Sequence, residues 1–283
     1  MKWFVLASLL LSTFASVQAQ EVKLLSWNVF MLPAPIKRSL QSTRTVQIAK
    51  SLKHSDYDVV VLQEAFMKSF RHEIKKELHT NYPYRHYLKN NPKFPRIFGS
   101  GVYLLSKHPF KVLKQVYFKN CATADCGASK GSFVAEFTLG TGKQFQIAGT
   151  HLQAERKYAN VRMKQLKQIN DMFQSVQKAD VPQMLIGDLN IQDKDPEFQA
   201  GLDLLKMDFV RLEGSIDHTG GIKNECYATG GDGVNTYWID HIWANQLDTR
   251  HFSMQVKPMP FIYKGKSCEL SDHHAVEAKI TLL

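Results

Sequence analysis

Short apolar runs rich in β-branched residues recur along this 283-residue chain, and stretches with helical spacing separate them. The runs "VKLLSWNVF", "DYDVVVLQEAF", "GVYLLSKHPF", "GSFVAEFTL", "KQFQIAGTHL", "VPQMLIGDLN" and "NTYWIDHIWA" all have strand character. Between them, Val46, Ala49 and Leu52 are spaced for one helix face, and Phe70, Ile74 and Leu78 for another. Leu166, Ile169, Phe173 and Val176 mark a longer helix, and "PEFQAGLDLLKM" returns to helix again. In the closing "AVEAKITLL", Val276, Ala278, Ile280 and Leu282 alternate with polar residues, so one face of that strand is buried. Strands and helices interleaved without a break predict an α/β architecture. No Gly/Ser or Pro linker, internal repeat or low-complexity block interrupts the pattern, so residues 20–283 read as a single domain.

The first residues, "MKWFVLASLLLSTFASVQAQ", have the form of an export signal. Lys2 supplies the positive start, an apolar stretch follows, and Val17-Gln18-Ala19 has the small-x-small form of a cleavage site. The apolar stretch is shorter than the ~20 residues a bilayer span needs. Residues 1–19 are therefore expected to be removed, and the mature protein to be soluble and secreted or periplasmic. Export changes the reading of the four cysteines. In an oxidising compartment they allow three pairings. Cys121 and Cys126 are close enough in sequence to close a small loop, which leaves Cys226 with Cys268. A reducing compartment would leave four buried thiols. The absence of CxxC pairs argues against a four-cysteine zinc site. The net charge of +10 favours an anionic partner, whether nucleic acid, acidic lipid or a phosphate-bearing substrate.

Polar residues with chemical capability stand at the C-terminal ends of the apolar runs. They are Asn28, Glu64, His151, Asp188 with Asn190, Asp240, and Asp272 with His273. A single acid or imidazole in such a place ordinarily serves a turn or a cap. A whole set offering carboxylate, carboxamide or imidazole points instead to one shared site. Glu64, Asp188 and Asp272 supply negative charge, and Asn28 and Asn190 supply neutral oxygens or N–H donors. Hard cations such as Mg²⁺ prefer such oxygen ligands. Histidines beside them suit proton transfer and oxyanion stabilisation. The chemistry implied is metal-assisted phosphoryl hydrolysis.

Together "SWNVFML", "LQEAF", "GTHLQAE", "GDLN" and "SDHHAV" resemble the endonuclease/exonuclease/phosphatase superfamily, with its DNase I-like fold. Within it, the chain is most similar to bacterial sphingomyelinase C enzymes and their neutral sphingomyelinase relatives, above all in "IAGTHLQAE" followed by "VRMKQLKQIN". The resemblance runs from about Val22 to the end and implies a four-layer sandwich, two mixed β-sheets face to face with helices on both outer sides. It implies that Glu64 is the principal Mg²⁺ ligand, with Asn28 beside it and Asp272 completing the acidic cluster; Mn²⁺ or Co²⁺ would substitute. Asp188 and Asn190 would orient the attacking water and a phosphate oxygen. His273 would be the general base, with Asp240 holding its imidazole, and His151 would stabilise the transition state. Either His273 or Asp188 would take the water's proton. His274 would face away, because adjacent side chains on a strand point to opposite sides. In "DCGASKG", Asp125 and Lys130 have the spacing of a loop switch pair in neutral sphingomyelinases. The implied reaction is hydrolysis of sphingomyelin to ceramide and phosphocholine.

Such an enzyme would act as a monomer in peripheral contact with membranes, without a stable nucleic-acid partner. In "KPMPFIYKGKS", Phe261, Ile262 and Tyr263 stand among lysines, as headgroup insertion requires, although an inward-packed strand would carry the same residues. "NNPKFPRIFGSG", with Phe94, Arg96 and Phe98, is a second candidate rim loop or an ordinary surface turn. The rival functions are a secreted nuclease on the same ligands, another phosphatase of the superfamily, and a binding protein without activity. "WIDHIW" lacks the Cys-Asp-Arg form usual in inositol-polyphosphate phosphatases, and the presence of every expected ligand argues against an inactive scaffold.

Overall fold

A computed structural model describes residues 19–283, apart from 90, 92–95, 213, 215, 230 and 248–251. Residues 1–18 of the expected export signal 1–19, and Phe94, lie outside the described residues. One sheet holds β1 (Gln20–Asn28), β2 (Val59–Gln63), β3 (Tyr84–Tyr87), β4 (Tyr103–Ser106), β10 (Phe252–Lys257) and β13 (Ala275–Leu282), in the order β10-β13-β1-β2-β4-β3. The other holds β5 (Phe110–Tyr117), β6 (Gly131–Thr138), β7 (Gln144–His151), β8 (Gln183–Asp188) and β9 (Asp240–Ala244), in sequence order. Both sheets are mixed: β1 runs parallel to β2 and β7 parallel to β8, while the remaining pairs are antiparallel. A separate hairpin pairs β11 (Pro260–Tyr263) with β12 (Lys266–Glu269).

Alternation along the strands creates the layers. Val22, Leu24, Val61 and Val276 of the first sheet meet Phe133, Ile147, Ile186 and Ile242 of the second in an apolar inner core. The opposite face of the first sheet, with Leu25, Trp27, Val60 and Leu62, is covered by α1 (Gln41–Lys53) and α2 (Lys68–Glu77) through Ile48, Leu52, Phe70 and Ile74. The outer face of the second, with Val134, Ala148, Leu185 and Trp243, packs on α3 (Ala159–Gln174) and α4 (Pro196–Leu205). Full burial of each such side chain stabilises the fold by about 1.5–3 kcal/mol. A one-residue slip in any central strand would turn its whole apolar set outward, so register is strongly specified. The expected sandwich of two mixed sheets between helices is the one observed.

One helix face differs from the sequence expectation. Val46 is 55% exposed, and α1 buries Arg44, Thr45, Ile48, Ala49 and Leu52 instead. Apolarity alone misplaced the stripe, because a fully buried arginine occupies part of it. Among the described residues, no helix is long and apolar enough to cross a membrane.

Cys121 pairs with Cys126 inside the β5–β6 loop, and Cys226 pairs with Cys268 of β12, at Cα separations of 5.2 and 5.9 Å. The second bridge spans 42 residues, and closing a loop of that length restricts the unfolded chain by about 4 kcal/mol in the chain-entropy model. Peptide mapping without reduction should recover these two cross-links from protein collected outside the cell. Four free thiols in that material would reject the pairing.

Candidate active site

The site lies where the two sheets share an edge. His151, Asp188 and Asp240 are register partners across β7, β8 and β9, forming one rung. By the two-residue period they face the same way as Ile147, Ile186 and Ile242, so they continue the inner core as its polar rim. Across from them, Asn28 continues the Val22–Leu24 face at the end of β1. The uniform strand-end expectation needs correction here. Asp240 opens β9, and Asp272 and His273 lie in the short link between β12 and β13, just before the final strand. They reach the same edge because β9 and β13 run antiparallel to β8 and β1.

Hydrogen bonds fix the row. Asn28 Nδ2 donates to Asp188 Oδ2 at 3.0 Å, and Asn28 Oδ1 accepts from Phe30 N at 3.1 Å. Asp188 Oδ1 accepts from Asn190 N at 3.0 Å, and Asp188 Oδ2 lies 3.4 Å from His151 Nε2 and 4.0 Å from His273 Nε2. The amide of Asn190 reaches across to Leu152 O at 3.3 Å. His273 Nδ1 meets Asp240 Oδ2 at 2.7 Å, and the backbone carbonyl of His273 accepts from Trp27 Nε1 at 3.1 Å. Thr219 anchors this pair: its Oγ1 accepts from Asp240 N and its carbonyl from His274 N. His274 turns away, with Nδ1 3.8 Å from Glu269 and its ring beside His218.

Glu64 sits one residue past β2 in the left-handed region at φ 53°. That conformation costs an ordinary residue about 1–2 kcal/mol, and the neighbouring chain enforces it. Ala65 N donates to Gly101 O at 2.9 Å. A side chain at Gly101, itself at φ 76°, would come within 2.9 Å of the Phe66 ring and 3.2 Å of Glu64 Cα.

The electrostatics divide the site. Burial, then the charge of Asp272, push the Glu64 carboxyl up to about 7, and burial raises Asp272 as well. Glu64 Oε2 is sealed from solvent with no hydrogen-bond partner in the protein. Two crowded carboxyls with an orphan oxygen, beside a carboxamide, fit a hard divalent cation held by Asn28, Glu64 and Asp272. Asp188, Asp240 and His273 also place ligand atoms within 4.8 Å of one another, close enough to hold an ion. There, Asp240 Oδ2 is engaged by His273 Nδ1, while Asp240 Oδ1 is buried without a hydrogen-bond partner in the protein. Burial, then Lys130, hold the His151 pKa down at about 3, so its ring is neutral. Burial also opposes protonation of His273, but the charge and hydrogen bond of Asp240, with Asp188 and Asp272, outweigh it and hold that imidazole well above its usual value.

The Asp125–Lys130 pair is closed. Lys130 Nζ donates to Asp125 Oδ2 at 2.7 Å and to Leu152 O at 2.8 Å, and Asp125 Oδ2 accepts from Ala154 N at 2.7 Å. It therefore grips the segment that follows His151. The candidate membrane residues separate: Phe261 is 8% exposed and packs into the core under α1 and α2, whereas Ile262 is 70% exposed and Tyr263 is half-buried. Phe261 is thus no lipid contact; alternation in β11 turns it inward beside Cys268. In the second rim loop, Arg96 donates to Phe118 O, Phe98 is half-buried, and Ile97 is the most exposed of the loop's described residues, at 68%. Sequence reasoning did not single out Arg44, Thr219 or Trp27. A buried arginine or an anchoring hydroxyl leaves no periodic signal.

A fold of this topology, with acids, amides and histidines on its shared edge, defines a class of phosphoester hydrolases. Residues 25–273 match the model of the Endonuclease/Exonuclease/phosphatase family, and the chain belongs to that family. Sphingomyelinase C 2 of Leptospira interrogans serogroup Icterohaemorrhagiae serovar Lai is 29% identical over 90% of this chain, which spans 45% of that relative's length. Phospholipase C of Staphylococcus aureus is 27% identical, over 91% of this chain and 87% of its own. A double-mutant beta toxin from Staphylococcus aureus, crystallised with bound magnesium ions, superposes with a TM-score of 0.75 at 22% identity, over 92% of this chain and 99% of its own.

Proposed function

We propose that this chain is a secreted, Mg²⁺-dependent phosphodiesterase that hydrolyses sphingomyelin to ceramide and phosphocholine at a membrane surface. The observation that carries the reading is the gathering, on one edge, of a crowded carboxyl cluster with two histidines, His151 and His273, that flank Asp188 Oδ2 at 3.4 and 4.0 Å. The named relatives support the lipid substrate. When bound by Asn28, Glu64 and Asp272, a divalent cation would supply Lewis-acid stabilisation of a phosphoryl oxygen.

The protein's own groups account for the rest. Asp188, fixed by Asn28 and by the Asn190 backbone N–H, lies between the two imidazoles and orients the attacking water. In the neutral form of His273 the water's proton passes to Nε2, with Asp240 holding the ring through Nδ1. The neutral ring of His151 offers an N–H to charge developing on the phosphoryl group, where a donor of fixed position is most effective. The Asp125–Lys130 pair holds the backbone behind His151 in place.

Three exposed apolar residues stand outside the two sheets: Ile97 in the β3–β4 loop, Val234 at 82% exposure before β9, and Ile262 in the hairpin. Lys257, Lys264 and Lys266 are exposed around Ile262, which suits shallow contact with headgroups. The deciding experiment is a parallel assay on sphingomyelin vesicles and on duplex DNA, with Mg²⁺ and with chelator. Phosphocholine release that needs Mg²⁺, without DNA cleavage, is the expected result. DNA cleavage with intact lipid would replace the reading by a nuclease.

A further inference from the structure

Among the described residues, two arginines are fully buried, one beneath each half of the site. Arg44, on α1, donates through Nη2 to Val29 O at 2.7 Å and to Phe30 O at 2.8 Å, through Nη1 to Phe30 O at 3.0 Å, and through Nε to Leu270 O at 3.2 Å. Val29 and Phe30 follow Asn28 directly, and Leu270 stands two residues before Asp272. One planar guanidinium thus spans the two chain segments that carry two of the three metal-side ligands. Phe30 occupies the left-handed region at φ 48°, and its carbonyl takes a hydrogen bond from each terminal nitrogen, so the strained turn after Asn28 is held from beneath. The Tyr227 ring stacks 4.8 Å from the guanidinium carbon, and its hydroxyl donates to Glu269 O at 3.0 Å, tying the second segment once more. Ser271 Oγ closes the gap from above by donating to Asn28 O at 2.6 Å.

We infer that Arg44 is a positioning residue for the metal: by clamping the carbonyls of residues 29, 30 and 270 it fixes Asn28 and Asp272 at the spacing a divalent cation requires. The inference rests on the assignment of Asn28, Glu64 and Asp272 as ligands. Charge and geometry predict opposite effects here, which makes the role testable. A cationic group near the site repels a metal ion, so removing it would tighten binding if charge dominated. If the clamp dominates, removal loosens the ligand pair and weakens binding. Lysine keeps the charge but has no planar fork to reach carbonyls on two segments. Arginine is favoured at such a place for its geometry, and both Arg44→Met and Arg44→Lys should weaken the site.

Arg162, on α3, is the control. It is equally buried and binds Glu197, Gln153 O, Glu155 O and Arg156 O beneath the other half of the site. Mg²⁺ binding to the purified protein is measured by titration calorimetry, with thermal melting in chelator recorded for each variant. Arg44→Met should bind Mg²⁺ about 10–100-fold more weakly, the range for losing an outer partner of metal ligands, with Arg44→Lys between it and the parent. Arg162→Met should melt earlier but keep its Mg²⁺ affinity within about twofold, as separated sites do. Where Arg44→Met does not fold, Arg44→Lys carries the test. Unchanged or tighter Mg²⁺ binding by the folded Arg44 variants would overturn the inference. So would equal weakening in Arg162→Met, which would mark a general loss of packing. Failure of the parent protein to bind Mg²⁺ would instead remove the ligand assignment beneath it.

Discussion

Glu64→Gln should reduce turnover by at least about two orders of magnitude, beyond the ~10–100-fold typical of outer-shell losses. The amide preserves the shape of the side chain and removes the charge. The structure adds a second signature. Burial and Asp272 push the Glu64 carboxyl from 4.5 up to about 7 in the metal-free fold. Between those values the folded state binds more proton than the unfolded state. The metal-free protein should therefore gain stability as pH falls from about 7 towards 4.5 and lose it as pH rises through 7. Glu64→Gln cannot ionise, so it should flatten this dependence and melt higher than the parent at pH above 7 without metal. A bound divalent cation reverses the preference by stabilising the carboxylate, so Mg²⁺ binding by the parent should release protons near pH 7. Kinetics on sphingomyelin vesicles, paired with melting curves in chelator, check both halves. A variant with full activity after exhaustive chelation would remove Glu64 from the site and the metal from the reaction.

Part of this site was readable because strand alternation is rigid. A residue two positions beyond Ile147 or Ile186 faces the core direction again, and His151 and Asp188 lie on those rows. Their convergence with Asn28 and Asp272 followed from the ordered motifs. What alternation could not give was strand direction. Asp240 begins its strand, and only the antiparallel pairing of β9 with β8 brings it opposite Asp188. Of the strands that went unnoticed, β3, β5 and β10 are all sheet edges, and β12 belongs to a two-stranded hairpin. An edge strand has one pairing partner and more solvent, so "YRHY", "FKVLKQVY" and "FSMQVK" lack a dense apolar run. Arg44 escaped for the opposite reason. It is charged yet buried, and its partners are carbonyls far away in sequence, which no local pattern reports. Phe261 shows the limit of composition as a guide to membranes: the lysines around it are exposed, but the pleat turns its ring into the core.

His273→Ala should cost at least about two decades in turnover, because a positioned general base contributes ~10²–10⁴-fold, while binding to vesicles stays nearly unchanged. The imidazole is held through Nδ1 by Asp240 at 2.7 Å, leaving Nε2 on the side of Asp188 Oδ2, 4.0 Å away. His274→Ala should cost far less, since that ring faces Glu269 and His218. Asp240→Asn should fall between them, or approach His273→Ala if the ring loses its tautomer. The pH profile then separates the roles. Asp240, Asp188 and Asp272 hold His273 protonated against the effect of burial, so removing the charge of Asp240 should lower the pKa of the ring. If His273 must be neutral to accept the water's proton, the acid limb of the rate profile should move to lower pH in Asp240→Asn. If instead it acts as the charged donor to the leaving alkoxide, the basic limb should move down and the acid limb should stay. The three variants are compared at one Mg²⁺ concentration and one vesicle composition. A crippled His274→Ala beside a healthy His273→Ala would shift the assignment by one residue and place the proton-transfer group on the Glu269 side of the loop.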